Sequence, residues 1–107
     1  MQTINALELA AWLDDEKSPS PLLLDVREPW EYQICHIDGS QSVPMNTIPA
    51  TVAHLDKDTP TVCICHHGMR SMQVALFLEQ HGVSDVINLT GGVDAWAMKV
   101  DSSMPTY

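Results

Sequence analysis

Apolar residues fall into two kinds of block along this chain. Leu22-Leu23-Leu24-Asp25-Val26, Pro60-Thr61-Val62-Cys63-Ile64-Cys65 and Asp85-Val86-Ile87-Asn88-Leu89 are short and nearly continuous, the pattern of strands buried on both faces of a parallel sheet. Ser42-Val43-Pro44, after the turn signal Asp38-Gly39, predicts one further very short strand. The longer stretches between them carry helical signals. Asn5 and Glu8 have capping-box spacing ahead of Leu7, Ala10, Ala11 and Leu13, which predicts a helix from about Ala6 to Asp15. Glu28 to Gln33, with Pro29 early, predicts a helical turn, and Thr47 to Leu55 another helix. From Arg70 to His81 the positions Met72, Val74, Ala75, Leu76, Phe77 and Leu78 are apolar on nearly every side, which predicts a buried helix closed by Gly82. Gly91-Gly92 marks a tight turn before a last helix, Val93 to Val100, and a polar tail. Trp12 and the methionines are assigned to the core. Strands alternating with helices, without repeat or linker, imply an α/β architecture with a mostly parallel sheet covered on both faces.

Size and charge narrow the function classes. A chain of 107 residues, 45% hydrophobic and 18% charged, reads as a single globular domain spanning 1–107. Five Lys and Arg against fourteen Asp and Glu give a net charge of −9, which repels phosphate backbones and anionic membranes and so excludes nucleic-acid or membrane-surface binding. No apolar run approaches the roughly 18 residues of a membrane span. The acidic N-terminal segment lacks a signal peptide's basic region, and three cysteines suit a free thiol in a reducing compartment, so a soluble cytoplasmic protein is expected. Against this acidity the only arginines, Arg27 and Arg70, both fall just beyond predicted strands, where open α/β sheets bind ligands. A local anion site is the economical inference.

The segment Cys65-His66-His67-Gly68-Met69-Arg70-Ser71 joins a predicted buried strand to a predicted helix. Backbone N–H groups at a helix start can curl around a sulfur there and, with Arg70 and protonated imidazoles, favour its thiolate. Cys65 is therefore the candidate nucleophile. In its motifs the sequence resembles the rhodanese, or sulfurtransferase, family: Asp25-Val26-Arg27-Glu28 with Glu31-Tyr32, His36-Ile37-Asp38-Gly39-Ser40, the Cys65–Ser71 loop, and Gly91-Gly92-Val93-Asp94-Ala95-Trp96 occur in that order. The resemblance implies a rhodanese-like domain with a five-stranded parallel sheet and a cysteine that carries sulfane sulfur as a persulfide. It also implies that His66, His67, Gly68, Met69, Arg70 and Ser71 bind the substrate. Asp25 and Arg27 are expected to form an ion-paired scaffold beneath the loop. The six residues from Cys65 to Arg70 form a shorter cradle than that of the related dual-specificity phosphatases, which suits sulfur better than a tetrahedral phosphate.

The expected partners are a small anionic sulfur donor, such as thiosulfate or a low-molecular-weight persulfide, and a thiol or cyanide acceptor. A protein sulfur acceptor would make the chain a relay module, and a phosphatase or arsenate reductase on the same loop is a third reading. No cofactor is required by such chemistry. No metal is assigned either: Cys63, Cys65, His66 and His67 lack the paired spacing of structural zinc ligands and would need Cys35 and His36 to complete a set. Cys63, two residues back on the strand, is read as a packed core residue rather than a resolving thiol, and Cys35 as structural. His54 and His81 are read as a surface residue and a helix C-terminal charge.

Overall fold

The structure is a computed structural model that describes residues 1–107. Five parallel strands, β1 (Gln2–Ile4), β2 (Leu22–Asp25), β3 (Gln41–Ser42), β4 (Thr61–Ile64) and β5 (Val86–Leu89), form one sheet in the order β1-β5-β4-β2-β3. Helices α1 (Ala6–Asp14), α2 (Pro29–Ile34), α3 (Ile48–Thr51), α4 (Met69–Gln80) and α5 (Gly92–Lys99) connect them. The α/β architecture with helices on both faces agrees with the sequence pattern.

Successive residues of the central strands point to opposite faces, so two cores form. Leu23, Val62, Ile64, Ile87 and Leu89 pack with Ala6, Leu9, Val93 and Trp96 on the α1/α5 face. Leu24, Val26, Cys63, Cys65 and Val86 pack with Ile48, Val74, Ala75 and Leu78 on the α3/α4 face. Asn5 caps α1 reciprocally: its side chain accepts from the Glu8 amide at 2.8 Å and Glu8 accepts from the Asn5 amide at 3.0 Å.

Four expectations need correction. Strand β1 carries no hydrophobic run, and its pairing with β5 supplies the fifth strand that the residue pattern alone did not reveal. Helix α4 is buried on one side only, since Met72 and Leu76 face outward and only the Ser71, Val74, Ala75 and Leu78 side packs on the sheet. The predicted helix 47–55 is broken into α3 flanked by two 3-10 turns, Met45–Thr47 and Val52–His54. The core assignment fails for Met1, Met69, Met72 and Met98, which are exposed, while Trp12 is half-buried with its indole N–H donating to the Pro19 carbonyl at 3.1 Å. The polar tail folds back onto the domain, with Met104 buried in the α1/α5 core and Tyr107 at the carboxyl edge of the sheet.

Candidate functional site

Cys65 follows directly on β4, and the chain bends through His66 and His67 before Gly68 caps α4. Gly68 adopts φ +107°, and a Cβ there would crowd the Gly91 amide and the Leu89 carbonyl at 3.3 Å, so a side chain is strained by conformation and tight in space. This turn aims the Gly68 N–H at the Cys65 sulfur, 3.1 Å away. The sulfur also lies 3.3 Å from Ser71 Oγ, one turn into α4. Ser71 in turn donates to Asn88 Oδ1 at 2.5 Å, and the Asn88 amide donates to the Gly68 carbonyl at 3.1 Å. Asn88 thus ties the middle and the end of the loop to β5. Cys65 is only 1% exposed, so its sulfur forms the floor of the loop.

The loop is clamped from the α5 side as well. The Val93 and Asp94 amides, free of intrahelical partners at the start of α5, donate to the Cys65 and His66 carbonyls at 2.9 and 3.1 Å. Gly92 is required for this approach, because a Cβ would sit 2.3 Å from the Cys65 carbonyl oxygen.

A charged network adjoins the loop. Arg27 and Asp25 form a fully buried ion pair, Nη2–Oδ2 2.6 Å and Nε–Oδ1 2.8 Å. Arg27 also donates to the carbonyls of Cys35 (2.7 Å) and Glu31 (3.3 Å) and to the Tyr107 hydroxyl (2.9 Å). Burial works against the Arg27 charge, but Asp25 and Tyr107 outweigh it and its pKa is raised. Glu31, buried on α2, accepts both guanidinium nitrogens of Arg70 at 2.7 and 2.9 Å and the Tyr107 hydroxyl at 2.7 Å. The Arg70 guanidinium chiefly, helped by Tyr107 and the Glu28 amide against the effect of burial, holds the Glu31 carboxyl down to about 2. Arg70 therefore stays at the rim as a fixed cation, with its side chain 38% exposed.

Of the residues the sequence pointed to, Cys65, Gly68 and Ser71 come together at the sulfur, and Asp25 and Arg27 pair beside them. Met69 projects to solvent, 71% exposed. His66 lies between two rings, stacked on His67 at 4.1 Å and on Tyr107 at 4.0 Å, and its pKa is lowered by burial and then by His67. His67 is exposed, with Nε2 3.7 Å from Asp94 Oδ2. Cys63 is fully buried, and burial followed by the neighbouring Cys65 pushes its thiol up to about 12. Cys35 closes α2, its sulfur 3.9 Å from Arg27 Nη1. No disulfide links the three thiols.

Asn88, Glu31 and Tyr107 escaped assignment from the sequence. Asn88 had a usable signal, since an amide in a fully buried strand must find partners. Glu31 was visible only within a motif. Tyr107 had none, because its contacts reach 76 and 80 residues back along the chain.

Residues 5–99 match the Rhodanese-like domain family. The chain belongs to that family. It is 37% identical to the probable adenylyltransferase/sulfurtransferase MoeZ of Mycobacterium tuberculosis over 107 residues, covering 98% of this chain but 27% of MoeZ. It is 36% identical to the thiosulfate sulfurtransferase GlpE of Pseudomonas paraeruginosa over 74 residues, covering 69% of this chain and 67% of GlpE. A rhodanese-like domain protein of Staphylococcus aureus superposes with a TM-score of 0.83 at 32% identity, over 90% of this chain and 91% of that one. This chain thus spans about a quarter of the MoeZ length. No helix is long and apolar enough to cross a membrane.

Proposed function

We propose that this rhodanese-like chain is a sulfurtransferase that moves sulfane sulfur from thiosulfate or a low-molecular-weight persulfide to cyanide or a thiol through a persulfide on Cys65. The observation that carries the reading is the Cys65 sulfur itself, set at the floor of a loop with the Gly68 N–H aimed at it from 3.1 Å. The relatives named sulfurtransferases support it.

In the first half-reaction the Cys65 thiolate attacks the outer sulfur of thiosulfate, the S–S bond of the donor breaks, and sulfite leaves with the electron pair. Gly68 N–H and the start of α4 favour the anionic persulfide sulfur. In this reading Arg70 supplies the positive charge that meets an approaching anion, His66, His67 and Met69 flank its approach, and Ser71 adds a hydroxyl. Asp25 and Arg27 act as support. In the second half-reaction cyanide or a thiolate attacks the outer persulfide sulfur, and Cys65 departs as its thiolate. Sulfur balances without a cofactor, and three free thiols suit a reducing, cytoplasmic setting.

Intact-mass analysis after exposure to thiosulfate tests this. One added sulfur is expected on the wild type and on Cys63→Ser and none on Cys65→Ser. Turnover persisting in Cys65→Ser overturns the reading. A second reading, relay of sulfur to a partner protein, draws on the exposed Trp30 and Met69 beside the loop. Fast discharge of the persulfide to one protein thiol, with slow turnover of cyanide, favours it.

A further inference from the structure

We propose that the imidazoles of His66 and His67 and the carboxylate of Asp94 form a binding site for a late first-row divalent cation of the zinc type. The inference goes beyond sulfur transfer and does not depend on it. The three side chains offer ligand atoms that all lie within 4.8 Å of one another. One edge, His67 Nε2 to Asp94 Oδ2, is already 3.7 Å. Metal–ligand bonds of about 2.0–2.2 Å in a tetrahedral set place the donors roughly 3.3–3.6 Å apart, so closure needs the side chains to draw together and one ring to rotate. His67 and Asp94 are exposed enough to move, with side chains 64% and 38% accessible.

The backbone that carries the donors is fixed. His66 and His67 are consecutive and their rings stack, at 4.1 Å and 20° between planes, so a cation in the plane of both requires the exposed His67 ring to turn out of the stack. Asp94 is locked to the same loop by its own N–H, which donates to the His66 carbonyl at 3.1 Å, and Val93 repeats this one residue earlier. The ring of Tyr107 supports the far face of His66 at 4.0 Å. Preorganised ligands lose little freedom on binding, and buttressing of a ligating imidazole holds its orientation. Two nitrogens and one oxygen select zinc, cobalt, nickel or copper over magnesium or calcium, and three protein ligands leave a coordination position open. The net charge of −9 draws cations toward the surface.

The cysteines are outside the set. Cys65 is held by Gly68 and Ser71, Cys63 is sealed in the core, and the Cys35 sulfur faces Arg27. The donor group is therefore distinct from the Cys63, Cys65, His66, His67 combination, whose spacing does not suit a structural zinc site.

Calorimetric titration of the full chain with Zn²⁺, run without any sulfur donor, tests the site, and Co²⁺ absorption reports the ligand types. One Zn²⁺ per chain is expected. His67→Ala and Asp94→Asn should each weaken binding by at least about tenfold, while Cys65→Ser and His54→Ala bind as the wild type does. The Co²⁺ spectrum should lack thiolate-to-metal charge transfer. Absence of binding, binding unchanged in both His67→Ala and Asp94→Asn, or binding lost in Cys65→Ser overturns the proposal. Circular dichroism of the variants separates lost ligands from lost fold. Because the readout is metal binding, a chain that binds Zn²⁺ without transferring sulfur, or the reverse, decides the two proposals separately.

Discussion

Two polar networks meet at the carboxyl edge of this sheet, and they are built on opposite principles. On the α3/α4 face, Cys65, Ser71, Asn88 and the Gly68 backbone form a short chain of uncharged groups. On the other side, Asp25, Arg27, Tyr107, Glu31 and Arg70 form a chain of alternating charge with one phenol in it. The uncharged network fixes where the sulfur sits and costs little desolvation. The charged one fixes a cation at the rim, and each of its buried members is tolerable only while its partner is present. The Arg70–Glu31 pair joins the two, because Arg70 belongs to the helix that carries Ser71. Such an arrangement separates holding a nucleophile from holding the charge that greets its substrate. Breaking each side should therefore have different consequences.

The largest effect is expected from Arg27→Met. It leaves the Asp25 carboxylate in a site of 1% exposure without its guanidinium, and removing one partner of a buried pair costs about 3–5 kcal/mol. Urea unfolding measures it. A double variant, Arg27→Met with Asp25→Leu, should recover a large part of the loss, because no charge is then stranded. A single-variant cost below about 1 kcal/mol would show that water or a neighbour takes over, and the two networks would not differ in kind.

Glu31 gives a smaller effect and a pH signature. Its pKa in the fold, about 2, lies below the ordinary 4.5, so its contribution is fully present above 4.5 and is lost as the pH falls through about 2. The shift corresponds to at most about 3 kcal/mol, and screening at the half-exposed Arg70 reduces it to about 1–2 kcal/mol. Thermal unfolding from pH 6 to pH 2 should show the wild type losing this increment while Glu31→Gln, already lacking it at pH 6, changes less steeply. Parallel curves would mean that the Arg70 pair contributes no stability.

Asn88→Ala tests the uncharged side at about 1–3 kcal/mol, the cost of leaving the Gly68 carbonyl short of a donor and a small cavity behind. The same change has an opposite effect on chemistry. The Ser71 hydroxyl has one proton, and in the fold it goes to Asn88 Oδ1, leaving Ser71 to accept from the Cys65 thiol. With Asn88 gone, Ser71 can donate to a thiolate instead, so Cys65 should alkylate faster at neutral pH although the protein is less stable. Slower alkylation would assign Asn88 to building the loop rather than restraining it.

The sequence disclosed the parts of this edge that are local and withheld those that are not. Continuous apolar runs announced β2, β4 and β5, and the loop from Cys65 to Ser71 with Gly91-Gly92 pointed to the candidate site, because each is written in consecutive residues. Strand β1 escaped because three residues, two of them polar, carry no periodicity and are strands only through β5. Met72 and Leu76 imitated burial since an apolar residue on an outer helix face is indistinguishable by type from one inside. Asn88 was readable in principle: an amide among Val86, Ile87 and Leu89 needs an explanation. The charged network was half readable, for Asp25 and Arg27 are two residues apart, but Arg70 meets Glu31 across 39 positions.

Tyr107→Phe should have the smallest effect and sharpens the comparison most. The phenol accepts from Arg27 and donates to Glu31, and burial first, then Glu31, push its own pKa up to about 12, so it is a neutral bridge throughout the working range. Removing the oxygen strands nothing: Arg27 keeps Asp25 and two carbonyls, and Glu31 keeps Arg70 and the Glu28 amide. The ring still meets Trp30 edge-on at 5.9 Å and His66 face-on at 4.0 Å. A loss of about 0.5–1.5 kcal/mol is expected, an ordinary hydrogen-bond contribution. Glu31 loses one donor that lowers its pKa, so the acid limb of the stability profile should move to higher pH, and an unmoved limb would leave Glu31 held by Arg70 alone. If Tyr107→Phe instead cost as much as Arg27→Met, the charge of Arg27 would depend on the phenol as much as on Asp25, and the network would be one cooperative unit rather than a chain of separable pairs.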